Sequence, residues 1–270
     1  MIRSRVLQED GQVSLIRFDH PPGRRHDDPA EELSTWHSVS FIERGGFDLH
    51  RGDGRWRLHP AALFVTYPGF SYRCTHGASV PDDAGFSVQY APVLVDDVQR
   101  TTGRHWTRSV PVAPLTNRLA YLRHRLLEAV GAGEGAMAAT ALAGELLAAL
   151  DDSAATAARP FRPERVAWYA RRVDLARELL ASRFDEPLSL VQVAREAGMS
   201  PFHFSRVFRE LVGMPPHRYL MRVRLLRAAQ RLRAGAGVTD TCYATGFNNL
   251  SHFIRTFRRT LGVPPSRFGA

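Results

Sequence analysis

Two arginines stand in nearly the same surroundings in the last third of this 270-residue chain: Arg206 follows Gly198 by eight positions and Arg255 follows Gly246 by nine. A guanidinium is a permanently charged planar fork of donors, matched to phosphates and to the O6/N7 edge of guanine. Each arginine falls in a segment that reads as the second helix of a helix-turn-helix. The 3.6-residue period puts Phe202, His203, Ser205, Arg206 and Arg209 on the outward face of the first such helix. It puts Ser251, His252, Arg255, Arg258 and Arg259 on that of the second. The opposite faces read as core: Phe204, Val207, Phe208 and Leu211 in one, Phe253, Ile254, Phe257 and Leu261 in the other. Arginines in the middle of an exposed face suit base reading, and those nearer the ends suit phosphates. Phe202 would either meet a thymine methyl or cover local core. His203 and His252 read as solvated or close to phosphate.

The elements that must hold these faces are written twice. Leu190–Tyr219 and Val238–Phe268 are near duplicates, with Gly198 and Gly246 48 apart and Phe208/Phe257, Gly213/Gly262 and Tyr219/Phe268 each 49 apart. A small residue, Ala194 or Cys242, lets two helices cross closely; the glycine four positions later ends the first helix. Ser200 then caps the next helix with Pro201 at its first position, and Asn248 or Asn249 does so in the second copy. Gly213 and Gly262 end these helices, and Pro215-Pro216 and Pro264-Pro265 prevent continuation. An amphipathic run, His217–Arg233, joins the copies.

Charge points the same way. All 36 basic residues are arginine, and they divide equally at residue 163. Residues 1–163 set 18 arginines against 19 acids; residues 164–270 set 18 against 8. The whole surplus of +9 is therefore C-terminal, the footprint of a polyanion partner. Double-stranded DNA is the expected one. Two cysteines, Cys74 and Cys242, build no disulfide framework, no apolar run is long enough for a membrane span, and the first ten residues lack a secretory apolar stretch. A reducing cytoplasm is the simplest expectation.

The C-terminal hundred residues resemble the AraC/XylS family of transcription regulators. The first copy carries the resemblance through Ala194, Gly198, Ser200, Arg206, Phe208, Gly213, Pro216 and Tyr219. The second carries it through Gly246, Phe247, Ser251, Phe253, Arg255, Phe257, Gly262, Pro265 and Phe268. Thr241, where the family prefers an aliphatic residue, and Cys242 in place of Ala depart from the pattern. The resemblance implies that Phe202, Ser205, Arg206, Asn249, Ser251, His252 and Arg255 face DNA; Ser200, His203, Arg209 and Arg259 complete the expected set. It also implies an activator that meets RNA polymerase, commonly with a cupin-like sensor at the N-terminus.

The fold expected is α+β: a cupin-like β-barrel over 1–111, a helical hairpin over 112–150, a linker over 151–163 and an all-α domain with two helix-turn-helix units over 164–270. Short β-favouring runs (Thr35–Glu43, Phe47–His50, Leu63–Tyr67, Phe86–Tyr90) alternate with Gly and Pro turns. Leu58–Tyr72 resembles the second cupin motif with Tyr72 where a metal-binding His would stand; Trp36–Gly45 resembles the first without its paired histidines. An intact cupin metal site is therefore not expected, and no cofactor is assigned. His20, His26, Asp27, His37, Cys74 and His76 could supply ligands to an ion or be scattered histidines of no such role. A small-molecule effector pocket would be lined by His37, Trp56, Tyr67, Tyr72 and Phe86. The leucine stripes Leu115, Leu119, Leu122, Leu126 and Leu142, Leu146, Leu150 suggest a homodimer surface, or else pack on the barrel. The leading reading is a DNA-binding regulator rather than an enzyme. A metal or redox sensor of the same design, a cupin-type enzyme fused to a DNA-binding module, and an architectural DNA-binding protein are the alternatives.

Overall fold

Alternating side chains along Val13–Asp19, His37–Arg44 and Ala84–Tyr90 become strands whose two faces do different work. A computed structural model of the chain describes residues 3–20, 30–76, 82–103, 111–150 and 161–268; His26, Asp27 and most of the expected linker lie outside them. The chain divides into two units, Met1–Val166 and Ala167–Ala270.

In the first unit a six-stranded antiparallel sheet runs β1 (Arg3–Glu9), β2 (Val13–Asp19), β9 (Ala84–Tyr90), β4 (His37–Arg44), β7 (Ala62–Thr66), β10 (Val112–Pro114). A four-stranded sheet runs β3 (Glu32–Leu33), β8 (Ser71–Thr75), β5 (Phe47–Arg51), β6 (Gly54–Leu58). On the larger sheet Leu15, Val39, Phe41, Phe86 and Val88 are fully buried on one face, Phe86 stacking on Phe41 at 5.1 Å. The next residues along β4 and β9 pair as Ser38 with Gln89 and Ser40 with Ser87, a polar patch on the other face beside Phe64 and Ile42. Between the sheets Ile42, Phe47, Leu49, Leu58, Phe64 and Phe70 form a core.

Three helices belong to this unit: α1 (Pro92–Thr102), α2 (Asn117–Ala132) and α3 (Ala136–Ala149). Of these, α1 is absent from the sequence-based expectation; it starts with Pro92 at its first turn and buries only Val95. The hairpin of α2 and α3 packs through α3 on α1 and β2, and the Thr140 hydroxyl donates to Asp10 at 2.7 Å. Leu115, Leu119, Leu122, Leu126, Leu142 and Leu146 are buried within the unit. Six of the seven leucines read as a dimer surface are thus covered by their own unit, and Leu150 is half-buried.

The second unit is helical: α4 (Pro163–Ser182) beyond its first turn, α5 (Leu190–Glu196), α6 (Pro201–Val212), α7 (Pro216–Arg233), α8 (Val238–Ala244) and α9 (Leu250–Leu261), then a 3-10 turn at Pro265–Arg267. Ser189 opens α5 with a reciprocal cap: its hydroxyl accepts from the Gln192 N–H, and the Gln192 side chain accepts from the Ser189 N–H. Phe204, Val207, Phe208 and Leu211 are fully buried, as the period predicts. The second core joins Leu225, Ala228, Ala229 and Leu232 of α7 to Cys242, Phe247, Phe253 and Phe257. Each large apolar side chain so buried stabilises by about 1.5–3 kcal/mol. The duplication extends to ring geometry. Tyr219 meets Phe208 edge-on at 5.6 Å, and Phe268 meets Phe257 edge-on at 5.1 Å.

Candidate nucleic-acid interface and inner cavity

Both turns follow the chemistry of their glycines. Gly198 and Gly246 have φ of +64° and +80°, a region costly for residues with a Cβ. Ser200 occupies the N-cap of α6 with extended backbone but makes no side-chain capping bond. Asn249, not Asn248, caps α9, its side-chain oxygen accepting from the His252 N–H at 2.8 Å.

On α6, Phe202, Arg206 and Arg209 are exposed and Ser205 is half-buried. Phe202 is 84% exposed, so it covers no core. His203, read as solvated, is half-buried: its Nε2 lies 3.1 Å from the Tyr169 hydroxyl and its Nδ1 3.4 Å from the Arg206 guanidinium. On α9, Ser251, His252, Arg255, Arg258 and Arg259 are exposed, as is Asn249 before it. One core assignment fails. Ile254 is 37% exposed, and Thr256 takes the inner position at 4%. Thr256 sits three residues after Phe253 and next to Phe257, closer to the centre of the buried stripe than Ile254.

The sequence reading missed Arg224 as a brace. From α7 its Nε donates to the Phe184 carbonyl at 2.7 Å and its Nη2 to the Glu186 carbonyl at 2.9 Å, both in the loop before α5. Its guanidinium also lies against Gly246, where an added Cβ would be 2.9 Å away. One side chain therefore ties the first helix-turn-helix to the turn of the second. Its burial lowers its pKa, which leaves an arginine charged all the same.

In the first unit, a cavity of about 640 Å³ lies between the sheets, with Ser38, Ser40, Thr66, Tyr72, Ser87 and Gln89 among its lining. Ser38 and Thr66 hydroxyls are 2.7 Å apart, Ser40 and Ser87 3.0 Å, and the Tyr72 hydroxyl donates to Glu32 at 2.9 Å. Burial, with the Glu32 charge and hydrogen bond, pushes the Tyr72 phenol up, so it stays a neutral donor. Of the expected effector residues only Tyr72 lines this cavity. Strand alternation displaces two others: Phe86 and His37 alternate with the residues that do line it, and point to the opposite face. Burial lowers the His37 pKa, partly offset by Asp96 of α1. Trp56 packs on the inter-sheet core and Tyr67 sits edge-on to Phe70 at 5.2 Å. Ser38, Ser40, Ser87 and Gln89 could have been found from their alternation with Val39, Phe41, Phe86 and Val88, which are fully buried on the same strands.

Of the candidate metal ligands, the fold brings His20 and His76 together, adds Asp83, which sequence reading did not name, and leaves His37 apart. Cys74 lines the same cavity. Burial, with the nearby Glu32 and Asp83 charges, pushes its thiol up, away from thiolate character.

Comparison with known proteins places the helical unit. Residues 193–270 match the family model described as a helix-turn-helix domain. A curated relative, the HTH-type transcriptional activator AarP of Providencia stuartii, is 44% identical over 46 residues, 17% of this chain and 34% of that protein. The chain thus spans about a third of that relative's length. A solved AraC-type transcriptional regulator from Chromobacterium violaceum is 28% identical over 38% of this chain and 93% of its own, with a TM-score of 0.36. An apo variant of ToxT from Vibrio cholerae strain SCE256 aligns with 97% of this chain and 98% of its own at 11% identity and a TM-score of 0.41. The repeat, its glycines and the family match agree, and residues 193–270 of this chain are an AraC-type helix-turn-helix domain.

Proposed function

We propose that the protein is a sequence-specific DNA-binding transcription regulator, an activator that works with RNA polymerase in the cytoplasm and responds to an effector through its N-terminal unit. The observation that carries the reading is the pairing of closed cores with open arginines. Phe204 and Phe208, like Phe253 and Phe257, are fully buried, while Arg206 and Arg255 on the same helices are exposed. That arrangement uses the apolar face for folding and leaves the charged face for a polyanion. Arg206 and Arg255 would read bases; Arg209 and Arg259, nearer the helix ends, would meet phosphates, with Ser200, Phe202, Ser205, Asn249, Ser251 and His252 around them. His203 would orient Arg206, which it touches. AarP is named as a transcriptional activator, which supports the activating sense.

The inner cavity supports effector control: hydroxyls and the Gln89 amide stand among Phe18, Phe47 and Phe64 in its lining, the mixture that orients a small molecule. Occupancy would change DNA affinity by whatever difference in binding free energy the two states of the protein offer.

Selection from randomised duplexes tests the reading. Two conserved blocks about one helical turn apart are expected, with Arg206→Ala relaxing one block and Arg255→Ala the other. Recovery of no motif, or of the same motif from both variants, would overturn it.

A further inference from the structure

We infer that His20, His76 and Asp83 form a binding site for a divalent transition-metal ion of the zinc class, opening onto the inner cavity. The three residues come from the end of β2, the end of β8 and the start of β9, and one ligand atom of each lies within 4.8 Å of the others. His20 Nδ1 is 3.4 Å and His76 Nε2 2.5 Å from the same Asp83 oxygen. The imidazoles stand nearly perpendicular, at 85° with centroids 5.0 Å apart. Ligands at about 2.0–2.1 Å around a tetrahedral ion lie about 3.3 Å from one another. The His20–Asp83 pair is already at that spacing, and His76 would need to withdraw from Asp83 by under an ångström.

Burial and charge suit an ion here. The side chains are 8%, 10% and 2% exposed, and a carboxylate as buried as Asp83 needs a compensating cation. Two imidazoles and one carboxylate suit zinc, iron(II) or cobalt(II), whereas calcium and magnesium take all-oxygen shells.

The frame is built to hold this geometry. The His20 N–H donates to the Asp83 carbonyl at 2.8 Å. Arg44 bridges Asp19 at 3.0 Å and Asp82 at 2.9 Å, pinning the residues next to both. Gly45, at φ +66°, leaves the space for this approach, since a Cβ there would run into the Asp82 carbonyl. All three ligands line the cavity, so the remaining coordination position faces it and would take an oxygen, nitrogen or sulfur donor from a small ligand. This is not the cupin arrangement: the paired histidines of that motif are lacking, and these ligands stand at other positions. Ion binding is independent of any role in DNA recognition.

The full chain, stripped with a chelator, should be titrated with Co2+ while visible absorption is followed, then challenged with Zn2+. One Co2+ per chain, displaced by Zn2+, is expected. His76→Gln and Asp83→Asn should each weaken binding at least tenfold, and His37→Gln should leave it unchanged. Absence of stoichiometric Co2+ binding by the wild-type chain would overturn the site whether or not the variants fold. So would undiminished binding by folded His76→Gln and Asp83→Asn proteins.

Discussion

Alanine at Gly246 and at Gly262 should have very different costs, although both glycines have φ of +80°. A residue with a Cβ in this left-handed region loses about 1–2 kcal/mol at either position. At Gly262 nothing lies within 4 Å of the new atom, so the cost should stop there. At Gly246 the methyl would be 2.8 Å from the Asp185 carbonyl and 2.9 Å from the Arg224 guanidinium. The carbonyl is backbone and has little room to move, so Arg224 must give way. Its two hydrogen bonds, to the Phe184 and Glu186 carbonyls, are charge-assisted and worth about 1.5–3 kcal/mol each when lost entirely. Partial exposure of the guanidinium lets water replace some of that, so we take about 2 kcal/mol for the pair. Gly246→Ala should then cost about 3–4 kcal/mol and Gly262→Ala about 1–2 kcal/mol. Hydrogen–deuterium exchange of the full chain measures this locally, as a fall in opening free energy for α8 and α9 amides. The Gly246 variant should also speed exchange around Phe184–Glu186, where its brace is lost, and the Gly262 variant should not. Equal losses at the two glycines, or no change at Phe184–Glu186, would refute the reasoning.

Two further outcomes follow from buried polar groups. Thr241 is fully buried and its hydroxyl has no hydrogen-bond partner among the described residues, so Thr241→Val, nearly equal in volume, should stabilise the helical unit by about 1 kcal/mol; urea unfolding that moves the other way would contradict this. At Asp10, partial burial alone would raise the carboxyl pKa. The Thr140 hydroxyl and the Gln12 and Val13 N–H groups outweigh it and hold the pKa below 3.8. A depressed carboxylate stabilises the fold above its unfolded pKa, and that stability is lost as pH falls through the folded value. Asp10→Asn should therefore be less stable than wild type at pH 7, by about 1 kcal/mol, with the gap closing below about pH 4; a gap independent of pH would count against the hydrogen-bonded carboxylate.

The helical unit is legible in the sequence because its signals are local. Gly198, Gly246 and the proline pairs dictate turns within a few residues, and the duplication repeats them. The exceptions are side chains whose burial is not announced by their chemistry. Thr256 is inside and Ile254 partly outside, because geometry rather than hydropathy decides between neighbours at the edge of a stripe. His203 reads as surface because Tyr169, its partner, lies 34 residues away on α4. In the first unit β4, β5, β7 and β9 are readable as β-favouring runs while the other strands are not marked out individually, and which face looks inward depends on pairing. Side-chain chemistry alone points to Phe86 and His37, which lie on the wrong face, while the plain serines Ser38, Ser40 and Ser87 line the cavity. Within the His20–His76–Asp83 cluster, His76 and Asp83 are seven residues apart, but His20 is far from both along the chain and reaches them only because β2 pairs with β9.

The claim on which the rest depends is that exposed arginines at matching places in two repeated helices read DNA sequence. Affinities of the full chain and its Arg206→Ala and Arg255→Ala variants, for the selected duplex and an unrelated one at one fixed salt concentration, test it most directly. Each variant should lose about 1–3 kcal/mol on the selected duplex and much less on the unrelated one. Unchanged binding to the selected duplex, or equal losses on both duplexes, would contradict it.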